Sequence, residues 1–126
     1  MQALAVFDWA FRQNDWLSQR QAVIAGNIAN ANTPGFKAKD VADFEMALKQ
    51  SAAAPLTATS ASHILPADAP KAFLEKRVDG AEVLHSGNSV NIEAEFLKAG
   101  DVMRSYSMNT QVVKSFNRML LLAAKV

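Results

Sequence analysis

From Ile92 to Ala124 the chain runs without a proline, and its apolar positions step by alternating fours and threes: Ile92, Phe96, Ala99, Met103, Tyr106, Thr110, Val113, Asn117, Leu120 and Ala124. That spacing is the heptad signature of a coiled coil, and it commits the last quarter of the chain to one helix about 50 Å long. Asn91 stands where an N-cap belongs. Glu93 and Glu95 fill the first turn, where the helix dipole favours negative charge, and the later charges are mostly basic. Val112, Phe116, Met119 and Ala123 draw a second apolar line beside the first.

The beginning of the chain has the same character. From Gln2 to about Asn32, Leu4, Phe7, Phe11, Leu17, Ile24 and Ile28 form a seam that passes through Asn14 and Gln21, while Trp9, Trp16 and Val23 repeat every seven residues next to it. The expected fold class is therefore mainly α: long N- and C-terminal helices paired as an antiparallel, coiled-coil-like hairpin. One such contact buries one seam from each helix, at roughly 1.5 to 3 kcal/mol per large side chain. Ordering each residue opposes this by on the order of 1 to 2 kcal/mol, so a lone hairpin comes out close to balance. Two readings of the second seams follow. Trp9, Trp16, Val112 and Phe116 either pack on the middle of the chain as a small core, or are covered by further chains in an assembly.

The first helix stops at "NIANANTPGFKAKD", residues 27–40. Pro34 lacks an N–H and disfavours helix at Thr33, and Pro34-Gly35 suits the central positions of a type II turn. Beyond it, "SAAAPLTATSASHILPADAP" is rich in Ala, Ser, Thr and Pro and has no sustained period, so it reads as an irregular connector. Within it "FLEKRVDGAEVL", Phe73 to Leu84, is expected to form a short β-hairpin about Asp79-Gly80. The organisation is then residues 1–50 for the first helix and its turn, 51–89 for the connector and 90–126 for the second helix, the two ends making one structural domain.

Thirteen basic and twelve acidic residues, with a net charge of +1 and no single-sign patch, leave no footprint for nucleic acid. The chain has no cysteine, hence no disulfide framework or thiolate metal site. No run of about 18 apolar residues spans a bilayer, and "MQALAVFDWAFRQND" lacks the basic start and small-residue cleavage site of a secretory signal. His63 and His85 lie apart from any other ligand type at metal spacing. Neither a phosphate-binding glycine loop nor a nucleophile elbow occurs. Asp40 and Asp43, beside Lys37 and Lys39, read as solvated surface. No catalytic, metal, cofactor or small-molecule site is expected.

"VIAGNIANANTPGFKAKDVADF" resembles the N-terminal signature shared by the axial proteins of the bacterial flagellum, the rod and hook proteins, with its N-I-A-N-x-x-T-P-G-[FY]-[KR] core. "GNSVNIEAEFLKAGDVMRSYSMNTQVVKSFNRML" is similar to the C-terminal segment of proximal rod subunits. The two stretches cover about two-thirds of the chain, and its shortness excludes the outer domains of hook and distal rod proteins. The resemblance implies a structural subunit of the basal-body rod whose terminal helices pair in the inner layer of a hollow, torque-bearing tube. It implies assembly with copies of itself and other rod proteins, contact with the basal-body adaptor and membrane ring, and export unfolded through the flagellar type III gate without a cleaved signal, to the periplasmic rod.

On that reading Asn27, Asn30, Thr33, Pro34, Gly35 and Phe36 form an assembly turn, with the two asparagines bonding to neighbouring helices; simple capping of the helix end is the alternative. Phe7, Trp9, Trp16, Ile24, Ile28, Met103, Tyr106, Val113, Phe116 and Leu120 are the expected subunit-packing residues. "FEMAL", Phe44 to Leu48, fits the Phe-x-x-x-apolar pattern that such subunits present to the export gate, and equally fits the apolar edge of a short helix. A soluble helical adaptor or export chaperone, binding a single partner through its apolar seams, is the competing class.

Overall fold

A computed structural model describes residues 2–51 and 73–125. Along the chain lie α1 (Gln2–Ala29), β1 (Lys39–Val41), α2 (Phe44–Ser51), β2 (Glu75–Arg77) and α3 (Ile92–Ala124). The Ala/Ser/Pro-rich stretch of the connector, with His63, lies outside the described residues.

Both long helices end where local chemistry dictates. At the C-terminal end of α1, the amide of Asn30 still reaches the Gly26 carbonyl at 3.1 Å, and successive tight turns then carry the chain to Phe36, whose amide bonds the Thr33 carbonyl at 3.2 Å. Gly35 closes this last turn at φ +75°, the left-handed region that the Pro-Gly pair predicts. At the start of α3, Asn91 is the N-cap, its side chain accepting from the Ala94 amide at 3.0 Å.

The helices pack antiparallel. Phe7 meets Phe116 edge to face, with ring centroids 5.5 Å apart, at one end. Asn14 and Asn109 bond across the middle of the seam, Leu17 and Ile24 cluster with Val102, and Asn27 meets Glu95 at the other end. On α1 Leu17 and Ile24 are buried as the seam predicts, but Ala10 is inside in place of Phe11, which is exposed, Asn27 joins the buried positions, and Gln21 is exposed. On α3 the seam is displaced. The buried residues are Glu95, Val102 and Asn109, a heptad line one residue back from the predicted Phe96 and Met103, which are 60% and 69% exposed. Of the predicted seam, Ala99, Thr110 and Val113 are half-buried, Ala99 against the core, whereas Phe96 and Met103 turn outward because Glu95 and Val102 take the inward positions beside them.

Against the α1 C-terminal half and the α3 N-terminal half lies a third layer. β1 and β2 pair antiparallel, Lys39 opposite Arg77 and Val41 opposite Glu75. The two-stranded ribbon is present, but the strand at Glu75–Arg77 pairs with Lys39–Val41 and not with residues 81–84. Asp79–Gly80 remains a turn, with Gly80 at φ +72°. Its partner is chosen by distant contacts: the Gln19 side chain exchanges two hydrogen bonds of 2.7 Å with the backbone of Phe73, and the Val78 amide bonds the Ala38 carbonyl at 3.1 Å. Trp16 anchors the same layer, donating its indole N–H to the Ala42 carbonyl at 2.8 Å while its ring stands 6.0 Å from that of Phe44 on α2.

Candidate assembly interface

The turn after α1 is clamped by the segment that leads into α3. Asn88, fully buried, donates to the carbonyls of Asn30 and Thr33 at 2.9 and 2.8 Å and accepts from the Val90 amide at 2.7 Å. Around it the Gly35 amide bonds the Ser86 carbonyl, the Ser89 amide bonds the Phe36 carbonyl, and the Ser89 hydroxyl accepts from the Ala38 amide. Lys37 donates to the Gly87 carbonyl at 2.7 Å. Gly87, at φ +80°, presses so close that a Cβ there would lie 3.3 Å from Gly35 Cα. Thr33, Pro34 and Gly35 themselves are exposed, with Phe36 half-buried. The "NxxTPGF" and "GNSV" stretches are thus two halves of one hydrogen-bonded knot.

Asn27 and Asn30 find their partners within the chain. Asn27 donates to the Lys39 carbonyl at 2.7 Å and to Glu95 at 3.0 Å, and accepts from the Lys39 amide at 3.1 Å. Asn30 donates back to the Gly26 carbonyl at 2.8 Å and accepts from the Thr33 hydroxyl. Within the chain Asn27 joins α1 to β1 and α3, and Asn30 bonds back to its own helix end, as the capping alternative expects.

Beside Asn27 sits an ionic cluster. Arg20 grips Asp40 with two contacts of 3.0 Å while lying 5.3 Å from the Trp16 ring centre, and Lys98 bridges Glu95 at 2.9 Å and Asp40 at 3.8 Å. Burial pushes the Asp40 carboxyl up, but the Arg20 fork, the Val41 amide and the Lys98 charge outweigh it and hold the group below its ordinary value. Asp40 is therefore a partly buried tie between α1, β1 and α3, and not the solvated residue that its neighbouring lysines suggest. Asp43 is exposed. Among the described residues no buried side-chain polar atom lacks a partner.

The expected packing residues divide into two groups. Ile24 is buried within the chain, Ile28 is partly buried against the same cluster, Trp16 packs on Ala42 and Phe44, and Phe7 and Phe116 cover each other. Val113 is half-buried. Trp9, Met103, Tyr106 and Leu120 face outward, joined by Phe11, Phe96, Met108, Val112, Met119, Leu121 and Leu122. Most of this surface belongs to the half of the hairpin beyond the third layer. Clefts run along it, one of about 390 Å³ between Trp9 and Val112 and one of about 730 Å³ between Ala22 and Tyr106. Phe44 and Leu48 are half-buried on α2. Asn109, Asn88, the Arg20–Asp40 pair and the burial of Glu95 were not singled out from sequence; the seams admitted polar residues at Asn14, Thr110 and Asn117, but the larger apolar Phe96 and Met103 drew the reading away from the line at 95, 102 and 109.

Among the described residues no group of three His, Cys, Asp or Glu side chains could hold a metal ion, and no helix is long and apolar enough to cross a membrane. A hairpin with its polar groups satisfied inside and large apolar side chains outside defines a structural subunit, built to be covered. Residues 16–37 match the family described as flagella basal body rod protein. The flagellar basal body rod protein FlgB of Agrobacterium fabrum strain C58 is 40% identical over 99% of this chain and 96% of its own length. FlgB of Escherichia coli K12 is 39% identical over 73% of this chain and 72% of its own, and that of Salmonella typhimurium LT2 38% identical over 78% and 77%. The chain belongs to the FlgB family of flagellar basal body rod proteins. Nothing in these relatives supports an adaptor or chaperone.

Proposed function

We propose that this chain is a structural subunit of the flagellar basal-body rod that polymerises through its terminal helices into the wall of a hollow axial shaft. The observation that carries this reading is the outward apolar surface shared by α1 and α3, from Trp9 and Phe11 to Met103, Tyr106 and Val112. Surface of this extent on a chain of this size calls for neighbours on more than one side. The partners are further copies and other rod proteins, with the basal-body adaptor and membrane ring at the base, and neither nucleic acid nor a small-molecule substrate takes part. The role is mechanical and not enzymatic.

Delivery to the periplasmic rod follows the flagellar type III export route, without a cleaved signal, the chain passing unfolded. Phe44 and Leu48 serve as the segment read by the export gate, and residues 33–36 with their clamp serve as the turn that redirects the chain across the wall. The test places charge on the outer face. Met103→Glu and Val112→Glu alter exposed residues, so the isolated chain should melt as the parent does. The variants should be exported but absent from purified basal bodies, with motility lost. Normal incorporation of both would refute assembly through this surface.

A further inference from the structure

α3 carries two lines that could face α1. The inward line is Glu95, Val102, Asn109 and Phe116; the line a residue ahead is Phe96, Met103, Thr110 and Asn117, and over the N-terminal half of the helix, where Ile92 and Tyr106 flank it, it is the more apolar of the two. The two are related by roughly a quarter turn of the helix about its own axis. Over that half, hydrophobic burial alone would turn the second line inward. Two polar contacts oppose that rotation. Near one end Glu95, 2% exposed, accepts from Asn27 at 3.0 Å while Lys98 holds its other oxygen at 2.9 Å. Nearer the other end Asn109 donates to the Ala10 carbonyl at 2.8 Å and to the Asn14 side chain at 2.6 Å. Rotation would pull both out of reach and strand the partner groups of α1.

We infer that the Asn27–Glu95 and Asn14–Asn109 pairs are rotational pins, which hold α3 in the less apolar of its two facings and so keep the Met103 face on the outside of the hairpin. A single polar residue in a helical seam is known to fix register at some expense of stability. Here a pair at two heights fixes the angle about the helix axis as well. The value of that face for assembly rests on the proposed function, whereas the rotational state is a property of the isolated chain and is measured on it.

The absence of native cysteine makes the facing readable by thiol labelling. Single-cysteine versions, Val102→Cys and Met103→Cys, are reacted with a maleimide under conditions of full helicity by circular dichroism, each rate divided by its rate in denaturant. In the parent, position 103 should label at least tenfold faster than 102. With Glu95→Ala and Asn109→Ala added, the order should invert, position 102 becoming the faster. Alanine is used because leucine would make the inner line the more apolar one. Glu95→Gln, which still accepts from Asn27, should preserve the parental order. The proposal is overturned if the parent shows no preference or the Gln variant loses it. It also falls if the double-alanine chain keeps the parental order, which would assign the facing to the buried Asn88–Val90 lead-in, or if both positions label at their denatured rates, which would make the pairs supports of stability alone.

Discussion

Gly87→Ala tests the knot between the signature turn and the α3 lead-in. Three glycines adopt similar left-handed conformations, Gly35 at φ +75°, Gly80 at +72° and Gly87 at +80°. An alanine at any of them meets the same intrinsic penalty, on the order of 1 to 2 kcal/mol, reduced by the smaller unfolded-state entropy of alanine. The surroundings differ. A Cβ at Gly35 or Gly80 enters open space, whereas at Gly87 it lies 3.3 Å from Gly35 Cα and 3.6 Å from Gly35 N.

Neither atom at Gly35 can swing aside as a side-chain tip would. Gly35 is held by its amide bond to Ser86 at 3.0 Å, and Phe36 next to it by the bond from Ser89 at 3.0 Å. Moving the two strands of the knot apart by a few tenths of an ångström weakens these bonds and those of Asn88, adding about 1 to 2 kcal/mol. Gly80→Ala and Gly35→Ala should each lose about 1 kcal/mol, and Gly87→Ala roughly 2 to 3. In thermal melts followed by circular dichroism, with about 4 °C per kcal/mol for a chain of this size, Gly87→Ala should melt some 4 to 8 °C below the other two. Equal melting points for all three variants would show that the Gly35–Gly87 approach is not maintained in solution.

Asp40→Asn should lose on the order of 2 kcal/mol at neutral pH, because it removes charge-assisted bonds from Arg20 and leaves Lys98 without one of its two acids. Since the folded state holds the Asp40 carboxyl below its ordinary value of 3.8, its contribution is complete above that value and fades as pH falls through it toward the lowered one. Parent and variant stabilities, from denaturant titrations at a series of pH values, should therefore converge in acid; a constant gap would refute the tie. Gly35→Val should disturb rod assembly more than helix content, since a β-branched residue is poorly accommodated at φ +75° in a turn that lies outside both helices; unimpaired motility would count against the turn as an assembly element. Phe44→Ala with Leu48→Ala should retain the chain in the cytoplasm. Trp16→Leu, which breaks the ring contact with Phe44 but leaves the linear segment intact, should still be exported. Fractionation showing equal export of both would return "FEMAL" to helix-edge packing.

The parts of the fold legible from sequence are those written by local chemistry. Heptad spacing, the Asn91 cap and the Pro34-Gly35 stop place both long helices to within a few residues. The errors share one cause, which is that the deciding partner is remote. Asp79-Gly80 is a sound local hairpin signal, yet the strand before it is taken by β1 through Gln19, more than fifty residues upstream of Phe73. Asp40 looks solvated beside Lys37 and Lys39, but its partners are Arg20 and Lys98, on two different helices. Phe96 and Met103 on the outward face of α3 were mistaken for seam residues because apolarity marks a surface that will be covered without saying what covers it.

The same distinction gives the inverted polarity of this hairpin a physical rationale. Apolar contact is non-directional, so a seam of leucines tolerates sliding and rotation, whereas each amide pair in this interior is satisfied in one alignment only. Asn14 with Asn109 and Asn27 with Glu95 set that alignment at two heights, and the knot around Asn88 fixes where α3 begins. On the proposed export route the subunit passes through a channel unfolded and has to regain its register afterwards, with its most apolar residues still available. Directional bonds within the chain and unspent apolar surface outside it meet both requirements, and they account for an interhelix seam that holds three asparagines and a glutamate while Phe96 and Met103 face outward on the next line of α3.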